Sequence, residues 1–430
     1  MSKIYLDSNT CQLRALDLER LKKYFIKNGH EIVDSPEKSD KIVYLTCGAR
    51  PKNIDICIDR IKHYKTFNSE LIVGGCLPTI DKEKVKSVFK GKIINTKDLD
   101  RKPENIDKIF PEHPVNFSLV EDGHLINQNF LTQRPIFKKL RDAGIIPVFG
   151  KILKKFPRLK KFYQNFMEYV VSNYFGLGEG SIMFSGKKIY NVRPSWGCLG
   201  NCSYCVIKDA VGSIHSKPIE DCVKELKEGL EKGYKEIVIN ADDTGAYGRD
   251  IGETLPHLLD KLTEIDEDYQ IFLLDLNPGW AVKYGDELID IFKRKKITLA
   301  SIPIQAGNSR ILKLMQRYSN VEKIKETMKK IKEAAPGIIF TTFIIEGFPT
   351  EKREEFQDTL DFIIDTDINN GIIFPYANNK IAAAEKIEPK ISTEEKQYRL
   401  KYAKKFFRKN GYSSMYFKSG NYLVFGKKSK

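Results

Sequence analysis

The sequence predicts an α/β protein: an open parallel α/β sheet at the N-terminus, then a partial (β/α)6 barrel, then a short C-terminal helix and β-hairpin. Three observations predict it. Short apolar runs alternate with helical patterns from the first residues, the alternation lapses near residue 110, and from Lys188 it resumes and repeats six times. Six strand-helix units are fewer than the eight of a closed barrel, and in such barrels active sites gather at the C-terminal strand ends.

In residues 1–110, KIYLDS, KIVYLTC and LIVGGC read as strands, with QLRALDLERLKKYFIKNG and the stretch from Ile54 to Tyr64 as helices between them. Residues 111–187 have weak periodicity and several prolines, and read as a basic insertion or linker with FYQNFMEYVVSNYFG as an amphipathic helix. Residues 188–380 supply the barrel. IYNVRPS, EIVINA, IFLLDLNP, LASIPIQ, IIFTTFIIEGFP and GIIFPYA are its strands. Helices are expected at Ile219–Glu231, Leu255–Thr263, Gly285–Arg294, Val321–Ala334 and Glu351–Asp365. Residues 381–430 hold a basic helix, Thr393–Lys409, and MYFKSGNYLVF, a hairpin turning near Ser419 and Gly420.

No apolar run approaches the roughly 18 residues needed to span a bilayer, and MSKIYLDSNT has no signal-peptide character. A cytoplasmic location with no membrane partner is expected. Eight cysteines in 430 residues fall far below the density of a disulfide scaffold, so clustered ones read as metal ligands or catalytic thiols. The net charge of +15 is uneven: Arg134 to Gln164 holds ten Lys/Arg against one acid, and Lys380 to Lys430 holds fourteen against four. With aromatic residues interleaved, these segments form either a track for a phosphate backbone or a pair of solvated helical faces.

Within WGCLGNCSYC, Cys198, Cys202 and Cys205 follow the first barrel strand, with Gly197 and Gly200 letting the backbone wrap closely. Three thiolates can ligate three irons of a four-iron cluster and leave the fourth open. A closed zinc site wants four ligands, and the nearest spare cysteine, Cys222, lies on a predicted helix as a small buried residue. Cys11, Cys47 and Cys76 each follow or close a predicted strand of the first sheet, so they share its C-terminal edge, where ligands gather. This points to a second cluster. Cys57 sits on a helix and reads as core. Asp242 and Asp243 follow a strand, as a helix cap or as site residues, and the six histidines show no ligand spacing.

The cysteine spacing, Tyr204 before the third cysteine, and the segments GSIHSKP, NADDTGAYG, SIPIQAGNSRILKLMQR and FIIEGFPTEKREEF resemble the methylthiotransferase family of radical S-adenosylmethionine (SAM) enzymes. The resemblance covers residues 1–105 and 188–410. It implies two 4Fe-4S clusters. Cys198, Cys202 and Cys205 would hold the catalytic one, whose open iron binds the amino and carboxylate groups of SAM; Cys11, Cys47 and Cys76 would hold the sulfur-donating one. Tyr204, Asp242, Gln305 and Gly347 are the implied neighbours of bound SAM. The implied reaction places a methylthio group on an unactivated carbon, one SAM giving the methyl group and another the radical, with a low-potential donor such as flavodoxin or ferredoxin.

Two departures concern the substrate. Family members usually end in a small β-barrel, the TRAM domain, whereas only about 20 residues follow Lys409 here. The family's Arg-x-Gly-Thr-like stretch after the sixth strand is replaced by FPYANNKIAAAEK. The basic segments favour transfer RNA, and the missing TRAM domain a protein or peptide side chain; RNA is slightly preferred. Two other readings are sulfur insertion or cross-linking of a peptide without methyl transfer, and a non-catalytic nucleic-acid-binding protein stabilised by structural metal.

Overall fold

The computed structural model describes residues 1–125, 189–417 and 421–428. The cations from Arg134 to Gln164, the amphipathic segment FYQNFMEYVVSNYFG and the hairpin tip lie outside the described residues.

Five parallel strands form the first sheet: β1 (Lys3–Asn9), β2 (Glu31–Val33), β3 (Lys41–Thr46), β4 (Glu70–Gly75) and β5 (Lys92–Asn95), in the order β2-β1-β3-β4-β5. Helices α1 (Gln12–Lys27) and α2 (Pro51–Tyr64) cover opposite faces. Alternate residues of β3 serve the two cores, Val43 and Leu45 packing with Tyr24 and Phe25 of α1, Ile42 and Tyr44 with Ile58 and Ile61 of α2. A strand buried on both faces reads as an unbroken apolar run, as IVYL does. The strands β2 and β5, with three and four residues, are too short to carry a pattern of their own. Phe117 and Val120 also fill the first core, so its packing runs past residue 110.

The second sheet has eight strands. They are β6 (Tyr190–Val192), β9 (Glu236–Ile239), β10 (Gln270–Leu273), β11 (Ile297–Ser301), β12 (Ile339–Glu346), β13 (Asn370–Pro375), β14 (Tyr412–Phe417) and β15 (Tyr422–Lys427), while β7 (Ser195–Trp196) and β8 (His215–Ser216) pair separately around the cysteine loop. Six run parallel in the order β6-β9-β10-β11-β12-β13, a partial barrel; the hairpin then continues the sheet, β15 pairing antiparallel with β13. Connecting helices are α3 (Ile219–Glu231), α4 (Leu255–Thr263), α5 (Gly285–Phe292), α6 (Val321–Ala334), α7 (Arg353–Asp365) and α8 (Thr393–Lys409). Thr254, Asn320 and Ser392 start α4, α6 and α8 by accepting a hydrogen bond from a first-turn N–H. Helix α7 begins two residues later than its pattern suggests, because Glu351 is drawn into a buried pair with Arg399 of α8 at 2.7 Å. No helix among the described residues is long and apolar enough to cross a membrane.

A chain of buried charges joins the two sheets. Arg193, just after β6, donates to Asp17 of α1 (2.6 Å) and to both oxygens of Asp122, and Asp122 also receives Lys217 (3.1 Å). Asp17 in turn pairs with Arg14 at 3.0 Å, and Arg14 with Asp242 at 3.2 Å.

Candidate active site

The loop from Gly197 to Cys205 is shaped by backbone that no side chain could share. Gly197 has φ 83°, and a Cβ there would run into the Ser213 carbonyl and lie 2.7 Å from an Arg101 guanidinium nitrogen. A Cβ on Gly200 would sit 3.3 Å from Cys198 Sγ and 3.7 Å from Cys202 Sγ, so bare backbone lies between these two sulfurs. The Gly200 N–H donates to Cys198 Sγ at 3.2 Å. Asp243 Oδ2 accepts from the Leu199 N–H (3.3 Å) and the Cys198 thiol (3.5 Å). Arg317 reaches Cys202 Sγ at 3.5 Å and the Tyr204 hydroxyl at 3.3 Å, anchored by the Pro303 carbonyl at 2.7 Å. Gly197→Ala is expected to destabilise by more than the about 1–2 kcal/mol of a left-handed L-residue, because the Ser213 carbonyl must also move. Thermal melting and iron content together measure it.

The other triad is assembled by strand order. Cys11 follows β1 and N-caps α1, Cys47 follows β3 and Cys76 follows β4, and these three strands are neighbours. Gly75, at φ 91°, has room for no Cβ: one would stand 2.5 Å from the Thr46 carbonyl oxygen. This brings the ends of β3 and β4 together, and the Cys76 N–H donates to Thr46 O at 3.0 Å. Cys76 also belongs to one apolar cluster with Val206, the neighbour of Cys205, and with Ala382. Cys57 is buried and its sulfur accepts from the Cys47 N–H (3.4 Å) and Asn9 (3.5 Å), a structural role; Cys222 is core.

Charge is concentrated between the triads. Arg14 is buried on α1, one turn from Cys11, and its Nε has no hydrogen-bond partner among the described residues. Asp242 Oδ2 accepts from both Arg14 Nη2 (3.2 Å) and the Gly197 N–H (3.1 Å), so one carboxylate ties the first domain to the cysteine loop. Burial pushes the Cys76 thiol up to about 12, partly offset by Arg14, so a thiolate there needs compensating positive charge of the kind an iron cluster provides. Burial also raises Asp243, and it raises Asp275, reinforced by Asp242 and Asp243, to about 6. Asp275 follows β10 with φ 54°, a conformation uncommon for a residue with a side chain. Asn240 Oδ1, Asp243 Oδ1 and Ser301 Oγ are buried at the same end of the barrel without hydrogen-bond partners among the described residues, polar atoms suited to a ligand's amino and hydroxyl groups.

Of the other residues singled out in the sequence, Tyr204 is half-buried beside Arg317, and Gln305 has φ 67° and bridges to β12 through its backbone. Gly347, at φ 66°, donates to Glu351 at 2.6 Å and lies against Lys396. Arg14, Asp275 and Arg317 escaped the sequence reading. Only Arg14 carried a local signal, a cation one helical turn after a cysteine. Among the described residues no group of three or more His, Cys, Asp or Glu side chains is arranged to hold a single metal ion. Cysteine sulfur is a soft ligand, and both sets of three lie at strand ends.

Comparison with known proteins agrees with this chemistry. Residues 192–363 match the Radical SAM superfamily, and residues 3–94 match a family described as uncharacterized protein family UPF0004. A probable threonylcarbamoyladenosine tRNA methylthiotransferase of Methanocaldococcus jannaschii is 30% identical over 370 residues, 84% of this chain and 72% of that one. The chain belongs to the methylthiotransferase family of radical SAM enzymes. A tRNA-2-methylthio-N(6)-dimethylallyladenosine synthase of Anoxybacillus flavithermus is 26% identical over 406 residues, 93% of this methylthiotransferase and 68% of the relative. Among solved structures, the radical SAM methyltransferase TsrM of Kitasatospora setae superposes with a TM-score of 0.57 at 11% identity, covering 90% of this chain and 77% of that one, a likeness of fold. The radical SAM fold implies one 4Fe-4S cluster and SAM.

Proposed function

We propose that this methylthiotransferase modifies a nucleotide of transfer RNA, with Cys198, Cys202 and Cys205 holding the SAM cluster and Cys11, Cys47 and Cys76 holding a second 4Fe-4S cluster. When bound, the two clusters would supply the electron for SAM cleavage and the sulfur for transfer. The observation that carries the reading is the hydrogen-bonded link from Arg14, beside the first triad, through Asp242 to Gly197 of the second. That link holds two sulfur-rich sites at one barrel mouth, as a reaction needing both at one carbon requires. Asp243 and Arg317 orient the thiols of Cys198 and Cys202. Asn240, Asp243 and Ser301 supply polar atoms for the amino and ribose groups of SAM beside the Cys198 triad.

Support for RNA comes from the names of the relatives and from α8. Its exposed Lys401, Lys404, Lys405, Arg408 and Lys409 lie on the side opposite the buried Leu400, Ala403 and Phe407, and none forms an ion pair among the described residues. Such a stripe attracts a phosphate backbone. A low-potential flavodoxin or ferredoxin as donor, and a cytoplasmic location, complete the proposal.

In the test, tRNA from a strain lacking the gene is treated with reconstituted enzyme, and nucleosides are analysed by mass. Gain of sulfur together with a methyl group on one nucleoside is expected. Cys11→Ser is expected to keep deoxyadenosine formation and lose sulfur transfer. Unchanged nucleosides would overturn the RNA substrate, and product from Cys11→Ser at the parental rate would overturn the role of the first triad.

A further inference from the structure

Strands β12, β13, β15 and β14 lie side by side, and their alternation divides the sheet into two unlike faces. Ile344, Ile373, Leu423, Phe425 and Tyr412 enter the core beneath α8. The opposite face carries Phe343, Phe374, Tyr422 and Phe417, all half-buried, and none of them is part of the core. These rings form an unbroken row across four strands. Centroids of Phe343 and Phe374 are 6.2 Å apart with planes at 25°, those of Phe374 and Tyr422 are 5.6 Å apart at 51°, and those of Tyr422 and Phe417 are 4.9 Å apart at 16°. Arg50, three residues past Cys47, places its guanidinium 3.9 Å from the centroid of Phe374. Arg50 thus ties the middle of the row to the loop that follows Cys47, and the row runs from β12 out onto the hairpin.

We propose that this row is a stacking surface for the nucleobases that flank the modified nucleotide. The inference rests on the RNA reading above and names the part of the protein that grips the strand. A sheet face bearing half-exposed rings is a recurring platform for unpaired RNA, since every base has a π-face, and a guanidinium plane stacks in the same way. Arg50 brings positive charge to the middle of the row, which suits a polyanion laid along it. Paired rings across strands also stabilise a sheet by themselves. The experiment separates the two roles.

Binding of deproteinised bulk tRNA from a strain lacking the gene is measured by filter retention on the holoenzyme at one fixed salt concentration. Tyr422→Leu is expected to weaken binding about tenfold, as loss of one stacked base would, and Tyr422→Phe to restore it. Phe343→Leu, at the other end of the row, is expected to act in the same direction and serves if Tyr422→Leu lowers the melting temperature. Parental affinity in both leucine variants overturns the stacking surface alone. Failure of the parent enzyme itself to bind tRNA overturns the RNA reading, and the surface with it.

Discussion

Cys198→Ala is expected to bring deoxyadenosine formation from SAM down to background and to remove about four of about eight irons after anaerobic reconstitution. No other thiol can substitute. Cys198 receives the Gly200 N–H on its sulfur, is held by Asp243, and its own N–H is fixed to Gly212 O at 3.0 Å, so the position is set from three directions. The spare cysteines cannot reach it: Cys222 is buried in the barrel core and Cys57 in the first domain. Cys222→Ala therefore serves as the control, with iron content expected to match the parent. Parental iron content and SAM cleavage in Cys198→Ala would remove the chemical reading of the triad.

Arg193→Met is expected to destabilise the protein by about 3–5 kcal/mol, the usual consequence of removing one partner from a buried ion pair. The arginine is 1% exposed, and its guanidinium serves Asp17, Asp122 and the Leu13 carbonyl while lying over Trp196. Arg193, Lys217 and Arg20 hold the Asp122 carboxyl well below the usual range against the effect of burial, so it is ionised at neutral pH. Without Arg193, Asp17 and Asp122 would be left with Arg14, Lys217 and Arg20 to offset them. Denaturant unfolding measures the change, and a loss below about 1 kcal/mol would place the pair in the class of weak surface contacts. Because Asp17 also orders Arg14, the variant is expected to loosen the link to Asp242 as well.

The helices Val321–Ala334 and Thr393–Lys409 were legible to the residue, since each has a capping side chain at its start and a continuous apolar stripe. The cysteine loop was equally plain, because three sulfurs and two glycines within nine residues constrain one another locally. Asp242, an implied neighbour of SAM, also ties the domains together, its Oδ2 accepting from Arg14 and the Gly197 N–H. Nothing near Asp242 in the chain announces a partner 228 residues away.

The sequence by itself thus determined the parallel strand-helix succession and the placing of cysteines just after strands, both of which depend on short-range spacing and periodicity. Tertiary structure alone decided that β1, β3 and β4 are neighbours, that Arg14 lies between the triads, and that the hairpin extends the barrel sheet and aligns four rings. Strand order and the pairing of buried charges are settled by how whole surfaces close against each other. No local pattern of residues encodes that outcome.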